Sequence, residues 1–360
     1  MDEMNEMDAL RRLWAGTPDG SAADLAGSRA LMERAYVKDR QEDRRARGPR
    51  RILRSAVRMP GPLFKGMAAV TVAAAVVVAT QLVPGAVPPA SAQELLARAA
   101  DAASEQTELK LRPGQYLHVR SVAARHMTVG RKDGTGVDHL AIKVAEDTWE
   151  PAEPGKPWLV REEPKGVAPY PGSRPVPSVP GMAGVDESVY ESSCDKTPGD
   201  ELSYLRLGEW PTDVAALRAR IEKVAAQQEE PGHLRLWLTI SDLIKKSAAR
   251  PSLAAPLFEV ASSLEGITLV PDVTDAAGRP GMAVGMAEDE TMRSELVFDK
   301  ETYRYLGIRY VVTKDRTENP GGRAYVVPRG TATGTALLGV EAADAMPEPS
   351  PQASRLRIPC

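Results

Sequence analysis

Residues 66–83, GMAAVTVAAAVVVATQLV, form an 18-residue stretch without a charged side chain. Coiled as a helix, it would extend roughly 27 Å, close to the hydrocarbon thickness of a bilayer, about 30 Å. Its flanks are one-sided. Arg44, Arg45, Arg47, Arg50, Arg51, Arg54, Arg58 and Lys65 precede it with no acid among them, and the first charge after it is Glu94. Basic residues are retained on the cytoplasmic side of a span, so these eight set the topology, with the N-terminus inside and everything after Val83 exported. A buried core helix has no need of such flanks. Ala90-Ser91-Ala92 has the small-x-small form of a signal peptidase site. A leader reaching that far would greatly exceed the usual length of about 15–30 residues, which favours a retained signal-anchor and a single-pass protein of the cell membrane.

The chain has 360 residues, enough for a short cytoplasmic part, one span and an exported region with its own core. Up to Lys65 there are 14 basic and 10 acidic residues, and beyond it 32 basic and 39 acidic. A positive segment beside the membrane suits anionic lipid, so the arginines are assigned to topology and lipid contact, and no nucleic acid is expected as a partner. Cys194 and Cys360 both fall on the exported side, where they could form a disulfide or remain unpaired. Only 3 Phe against 30 Pro and 29 Gly predict a modest core with extensive loops.

Residues 1–47 predict a cytoplasmic helical segment. Met4, Met7, Leu10 and Trp14 recur at spacings of three and four, with Leu13 beside them, before Thr17-Pro18-Asp19-Gly20 breaks the pattern. Ser21-Ala22-Ala23-Asp24 then has the form of a capping box, opening a second helix with Leu25, Met32, Ala35 and Tyr36 along one side. Two short helices cannot hide these faces from water by themselves, so Leu10, Leu13, Trp14, Leu25, Met32 and Tyr36 are candidate partner-binding residues. A basic connector follows at 48–65, then the transmembrane helix at 66–83 and a spacer at 84–91.

Residues 92–344 predict an exported α+β domain. A helix opens at Ser91-Ala92-Gln93-Glu94 and runs to about Gln106. Three strands are expected at Gln115–Val129, His139–Glu150 and Lys156–Glu162, joined by turns as an antiparallel meander. A Pro-rich insertion at 163–200 is assigned to the surface. Helices are expected from Trp210 to about Gln228, from His233 to Ala248 and from Leu253 to Ser263. Strands then return at Ile267–Val273, Gly281–Met286, Arg293–Asp299, Tyr303–Thr313 and Ala324–Val340. The Pro-rich tail at 345–360 is expected to be disordered. The fold class that follows is an antiparallel sheet with packed helices, beside short cytoplasmic helices and one transmembrane helix. A curved sheet of this kind could bury a lipid-like or peptide ligand on its concave side.

Motifs that assemble catalytic groups are missing: there is no Gly-x-Ser-x-Gly, no His-Glu-x-x-His, no phosphate loop and no Cys-x-x-Cys. The histidines, His118, His126, His139 and His233, are scattered. His118 and His126 are an even number apart and could share a strand face, but a metal would need a third ligand. No catalytic, cofactor-binding or metal-binding residue is assigned, and a non-enzymatic role is expected.

Several short pieces carry a resemblance. They are Met1-Asp2-Glu3 with Leu10-Arg11-Arg12-Leu13, the basic connector, the Ala/Val span and Ala90-Ser91-Ala92-Gln93-Glu94-Leu95-Leu96. Further on are Trp210-Pro211-Thr212-Asp213 with Leu217, Gly266-Ile267-Thr268-Leu269 and Glu295-Leu296-Val297-Phe298-Asp299. Their order resembles a family of poorly characterised actinobacterial single-span membrane proteins whose genes often lie beside those of extracytoplasmic-function sigma factors. The resemblance implies a role beside an anti-sigma factor or as one, with an exported part similar to lipoprotein-carrier-like half-barrels that sense envelope state. Residues 1–65 contain neither His nor Cys, unlike the zinc-containing anti-sigma pattern, so binding of a cytoplasmic sigma factor would rest on the apolar helix faces. The rival expectation is an exported lipid-binding, peptide-binding or structural envelope module without a signalling role.

The topology is testable with a reporter that is active only outside the membrane. Fused after Asp101 it should be active, and fused after Gly48 it should be silent; the reverse pattern would contradict the reading of the arginine cluster.

Overall fold

The chain divides into two units, Met1–Val87 and Pro88–Cys360. The computed structural model describes residues 88–131, 135–170, 173–175, 184–192, 204–226, 232–318 and 324–358. The expected cytoplasmic helices, the basic connector, the span at 66–83 and both cysteines lie outside the described residues. Among the described residues, no helix is long and apolar enough to cross a membrane.

The second unit is mixed α and β. Helix α1, Ala92–Ser104, begins where the Ser91 hydroxyl accepts from the Glu94 amide at 3.1 Å, while the Glu94 carboxylate accepts from the Ala90 amide at 2.7 Å. The first contact satisfies an amide that a first helical turn leaves free, and the second ties down the residue before the cap. Its apolar side, Leu95, Leu96, Ala99, Ala100 and Ala103, is fully buried. Four further helices are described: α2, Tyr204–Leu207; α3, Val214–Ala225, capped by Asp213; α4, Gly232–Lys246; and α5, Pro251–Ser262. Pro251 stands in the first turn of α5, where its missing N–H costs no hydrogen bond. A short 3-10 turn, Ser247–Ala249, joins α4 to α5.

Twelve strands are described. The first four are β1, Tyr116–Gly130; β2, Val137–Pro151; β3, Trp158–Pro169; and β4, Asp186–Ser192. After the helices come β5, Ile267–Thr274; β6, Pro280–Ala287; β7, Met292–Phe298; and β8, Tyr305–Val312. The last four are β9, Arg316–Glu318; β10, Tyr325–Val327; β11, Ala332–Ala343; and β12, Ser354–Ile358. Ten form one sheet in the order β12-β4-β3-β2-β1-β11-β8-β7-β6-β5, and β9 with β10 forms a separate ribbon. All pairs in the large sheet are antiparallel except β12 with β4.

The β1-β2-β3 meander and the β5-to-β8 meander follow the turn signals of the sequence. Three expectations are corrected. The tail was expected to be disordered, but Ser354–Ile358 pairs in parallel with β4, because an extended segment can satisfy its backbone on an open sheet edge despite nearby prolines. The stretch 163–200 is not wholly a loop: β3 continues to Pro169 and β4 lies inside it. The single strand expected at Ala324–Val340 is two, β10 and β11, separated by a turn in which Thr331 donates to the Pro328 carbonyl.

Strand β11 joins the two halves of the sheet, pairing with β1 on one side and β8 on the other. Its contact with β8 needs two glycines. At Gly307 a Cβ would lie 2.1 Å from the Thr335 carbonyl oxygen, and at Gly334 it would lie 2.1 Å from that of Ile308; both residues have φ of 154°. Only a residue without a Cβ fits such a reciprocal close approach.

Helices α1, α4 and α5 cover one face of β5–β8. Leu96, Trp237, Ile240, Leu257 and Phe258 from the helices pack with Val284, Leu296, Phe298 and Ile308 from the strands. The Trp237 indole N–H donates to the Ser294 hydroxyl at 2.7 Å, giving this buried polar group a partner. Trp237→Ala should therefore remove a fully buried ring and orphan a hydroxyl, lowering unfolding stability by about 3–5 kcal/mol. A loss below about 1 kcal/mol in denaturant titration would show that α4 does not dock on the sheet in this way.

Candidate functional site

Where α1, the 3-10 turn and α5 meet β8 and β11, the packing leaves a cleft of about 630 Å³. Its cause is local. The register shifts between Val297 and Phe298 leave Leu306 of β8 without a partner on β7, and those at Arg120 and Ser121 do the same for Leu338 of β11. An extra residue in one strand bends it and increases its twist, and both bulged residues, Leu306 and Leu338, line the cleft. The helix wall is made partly of small side chains, Ala99 and Ala103 of α1 and Ala254 of α5, so the gap stays open. Ile244, Phe258 and Leu338 are among the larger apolar residues of the lining, and Leu338 is 46% exposed.

Polar groups gather at the rim. The Arg279 guanidinium pairs with Asp275 at 2.7 Å and donates to the carbonyls of Leu306 at 3.1 Å and Leu337 at 2.8 Å. The bulges free these carbonyls, and the arginine satisfies them. Glu108 is held by Arg250 at 3.2 Å and by the Ser252 hydroxyl. Arg304 lines the same cleft, and among the described residues its guanidinium has no partner. Burial pushes the Tyr305 phenol far up, so it stays neutral. An apolar wall beside a fixed cation and an unpaired cation accommodates an amphiphile with an anionic group.

The histidines fall into separate surroundings. His118 faces Asp147 at 2.7 Å and Glu341 at 3.0 Å, and its ring stacks on Trp149 at 4.4 Å between centroids. His126 meets His139 of β2, with 2.9 Å between ring nitrogens. His233 lies exposed beside Glu265. His118 and His126 share a face of β1, as their spacing suggests, but the neighbour of His126 is His139. Among the described residues, no group of three His, Cys, Asp or Glu could hold a metal ion.

The candidate partner-binding residues Leu10, Leu13, Trp14, Leu25, Met32 and Tyr36 lie outside the described residues, as do Arg44, Arg45, Arg47, Arg50, Arg51, Arg54, Arg58 and Lys65. The cleft residues carry no sequence signal of their own. Arg279 follows the turn Asp275–Gly278, and only the fold brings that turn to β8 and β11.

No protein-family model and no curated protein matches the chain. Among solved structures, one that it resembles is the complex of Pseudomonas aeruginosa MucA/MucB, at 14% identity and a TM-score of 0.21, over 71% of this chain and 59% of that one. A second is a DUF1329 family protein from Desulfovibrio piger, at 10% identity and a TM-score of 0.19, over 69% of this chain and 91% of that one. Both similarities are distant, and TM-scores at this level do not establish a shared fold.

Proposed function

We propose that residues 88–360 form an exported ligand-binding module of a single-pass membrane protein, and that the cleft takes an amphiphile whose anionic group pairs with Arg304. The cleft carries this reading: small side chains hold it open, apolar groups line it and Arg304 is left without a partner at its edge. An acyl-type chain against Phe258 and Leu338 would bury apolar surface on both sides. The N-terminal segment gives the module a regulatory use. The apolar positions expected from its sequence suit a cytoplasmic sigma factor, so ligand occupancy outside would bias capture inside, as anti-sigma-like envelope sensing requires. Two sites coupled in this way need a ligand that binds two states of the protein unequally. A structural or carrier role without signalling uses the same cleft; recovery of a sigma factor with the full-length protein from membranes would favour regulation over it.

Ligand occupancy is measured by mass spectrometry of organic extracts of full-length protein purified from membranes. The parent should retain one anionic amphiphile, and Leu338→Glu with Arg304→Gln should reduce it by about tenfold or more, because a carboxylate would replace an apolar contact and a cation would be lost. Equal amounts in parent and variant, or none in the parent, would overturn the assignment of the cleft.

A further inference from the structure

The histidine pair at the end of β1 and β2 lies apart from the cleft and points to a second device. The pairing of His126 with Ala141 places His139 two positions along β2 on the same face. The two rings stack at 5.2 Å and 10°, and Nε2 of His126 lies 2.9 Å from Nδ1 of His139. The backbone of Val326 on β10 also faces the His139 ring and favours its charged form. While both rings are neutral, one proton lies between Nε2 of His126 and Nδ1 of His139, and the ring that accepts it carries its own proton on its outer nitrogen. Tyr325 of β10 packs its ring 5.6 Å from that of His139, and its hydroxyl donates to Glu318 of β9 at 3.0 Å. On the other side, Tyr170 meets His126 edge-on at 5.7 Å and donates to the Ala332 carbonyl at 2.9 Å. His139 is only 7% exposed.

The arrangement accepts protons poorly. One proton can enter at the outer nitrogen of the donating ring, but a second must take the position between the rings, where two N–H groups would face each other. We propose that the His126–His139 pair is a proton-operated latch: while neutral it holds the β9–β10 ribbon on the β1–β2 face, and when charged it releases the ribbon.

The surrounding groups decide the direction. Glu318 faces the pair from the ribbon and favours the charged form, as Asp138 does for His139, while Arg131 opposes it. Asp138 is itself engaged by Arg131 at 2.8 Å and by the Arg174 amide at 2.9 Å. Lys143 lies two positions beyond Ala141 on the same face and adds positive charge. Tyr170, pushed up by burial, stays neutral. Burial is the largest influence on both imidazoles and holds them below their ordinary value of 6.5. The released state therefore binds protons more readily than the latched one. The latch is intact above the ordinary imidazole range and weakens as pH falls through that range toward the lowered values.

Hydrogen exchange of the full-length chain, corrected for the intrinsic effect of pH, tests this. Between about pH 7.5 and about pH 5, the amides of Tyr325–Val327 should lose protection roughly tenfold, while those of β7 should not change. Glu318→Gln keeps an acceptor for Tyr325 but removes a charge that favours protonation of the latched pair, so the loss of protection by about pH 5 should be larger than in the parent. His126→Phe with His139→Phe should abolish the pH dependence. Protection in the parent that does not change with pH, a loss shared equally by the double variant, or a loss no larger with Glu318→Gln would overturn the latch.

Discussion

The close approach of β8 to β11 at Gly307 and Gly334 is the constraint on which the rest of the sheet depends. The β1–β4 meander and the β5–β8 meander are separated in sequence by all the helices from α2 onward, and β11 is the strand that pairs with both. Without a Cβ at either glycine, each strand can bring its backbone against a carbonyl of the other. With one, the backbone itself would have to move, because the obstruction is main chain and not the flexible end of a side chain.

The same seam accounts for where the two candidate sites lie. Strand β11 carries the bulge at Leu338 that opens the cleft, and it begins beside Ala332, whose carbonyl receives the Tyr170 hydroxyl next to the histidine pair. Curling of the sheet brings in the remaining groups. Arg309 of β8 donates to the Thr274 carbonyl at the end of β5, although three strand spacings separate these strands, about 14 Å in a flat sheet and beyond the reach of an arginine. The end of β5 must therefore fold over the sheet, and the turn after it then delivers Arg279 to the two bulges. Buried Glu295 lies on the face that β5 folds over, paired with Arg293 at 2.6 Å, so a carboxylate inside the structure is not left uncompensated.

Local chemistry in the sequence reveals much of this fold. The Ser91-to-Glu94 cap and the helix expected from His233 to Ala248 both place elements near their observed bounds, because each depends on neighbours a few residues away. Pairings made across the chain are less legible. β12 is short, and nothing in Ser354–Ile358 announces β4 as its partner. The His126–His139 pair was within reach, since the turn between β1 and β2 sets the register, but spacing along β1 alone draws attention to His118. The cleft was not legible at all. It arises from two bulges and three alanines, and small apolar residues look the same in a sequence whether they fill space or leave it.

Gly307→Ala in the full-length chain, followed by native-state hydrogen exchange, tests the role of the seam most directly. If the two meanders depend on it, amides of Ile308 and Ala336 should lose protection by roughly a hundredfold, as expected for a destabilisation of about 3 kcal/mol, and those of α1 should fall with them because its helix layer packs on the same strands. Protection unchanged at Ile308 and Ala336, or lost there while the β1–β11 pairing and α1 keep theirs, would contradict the account.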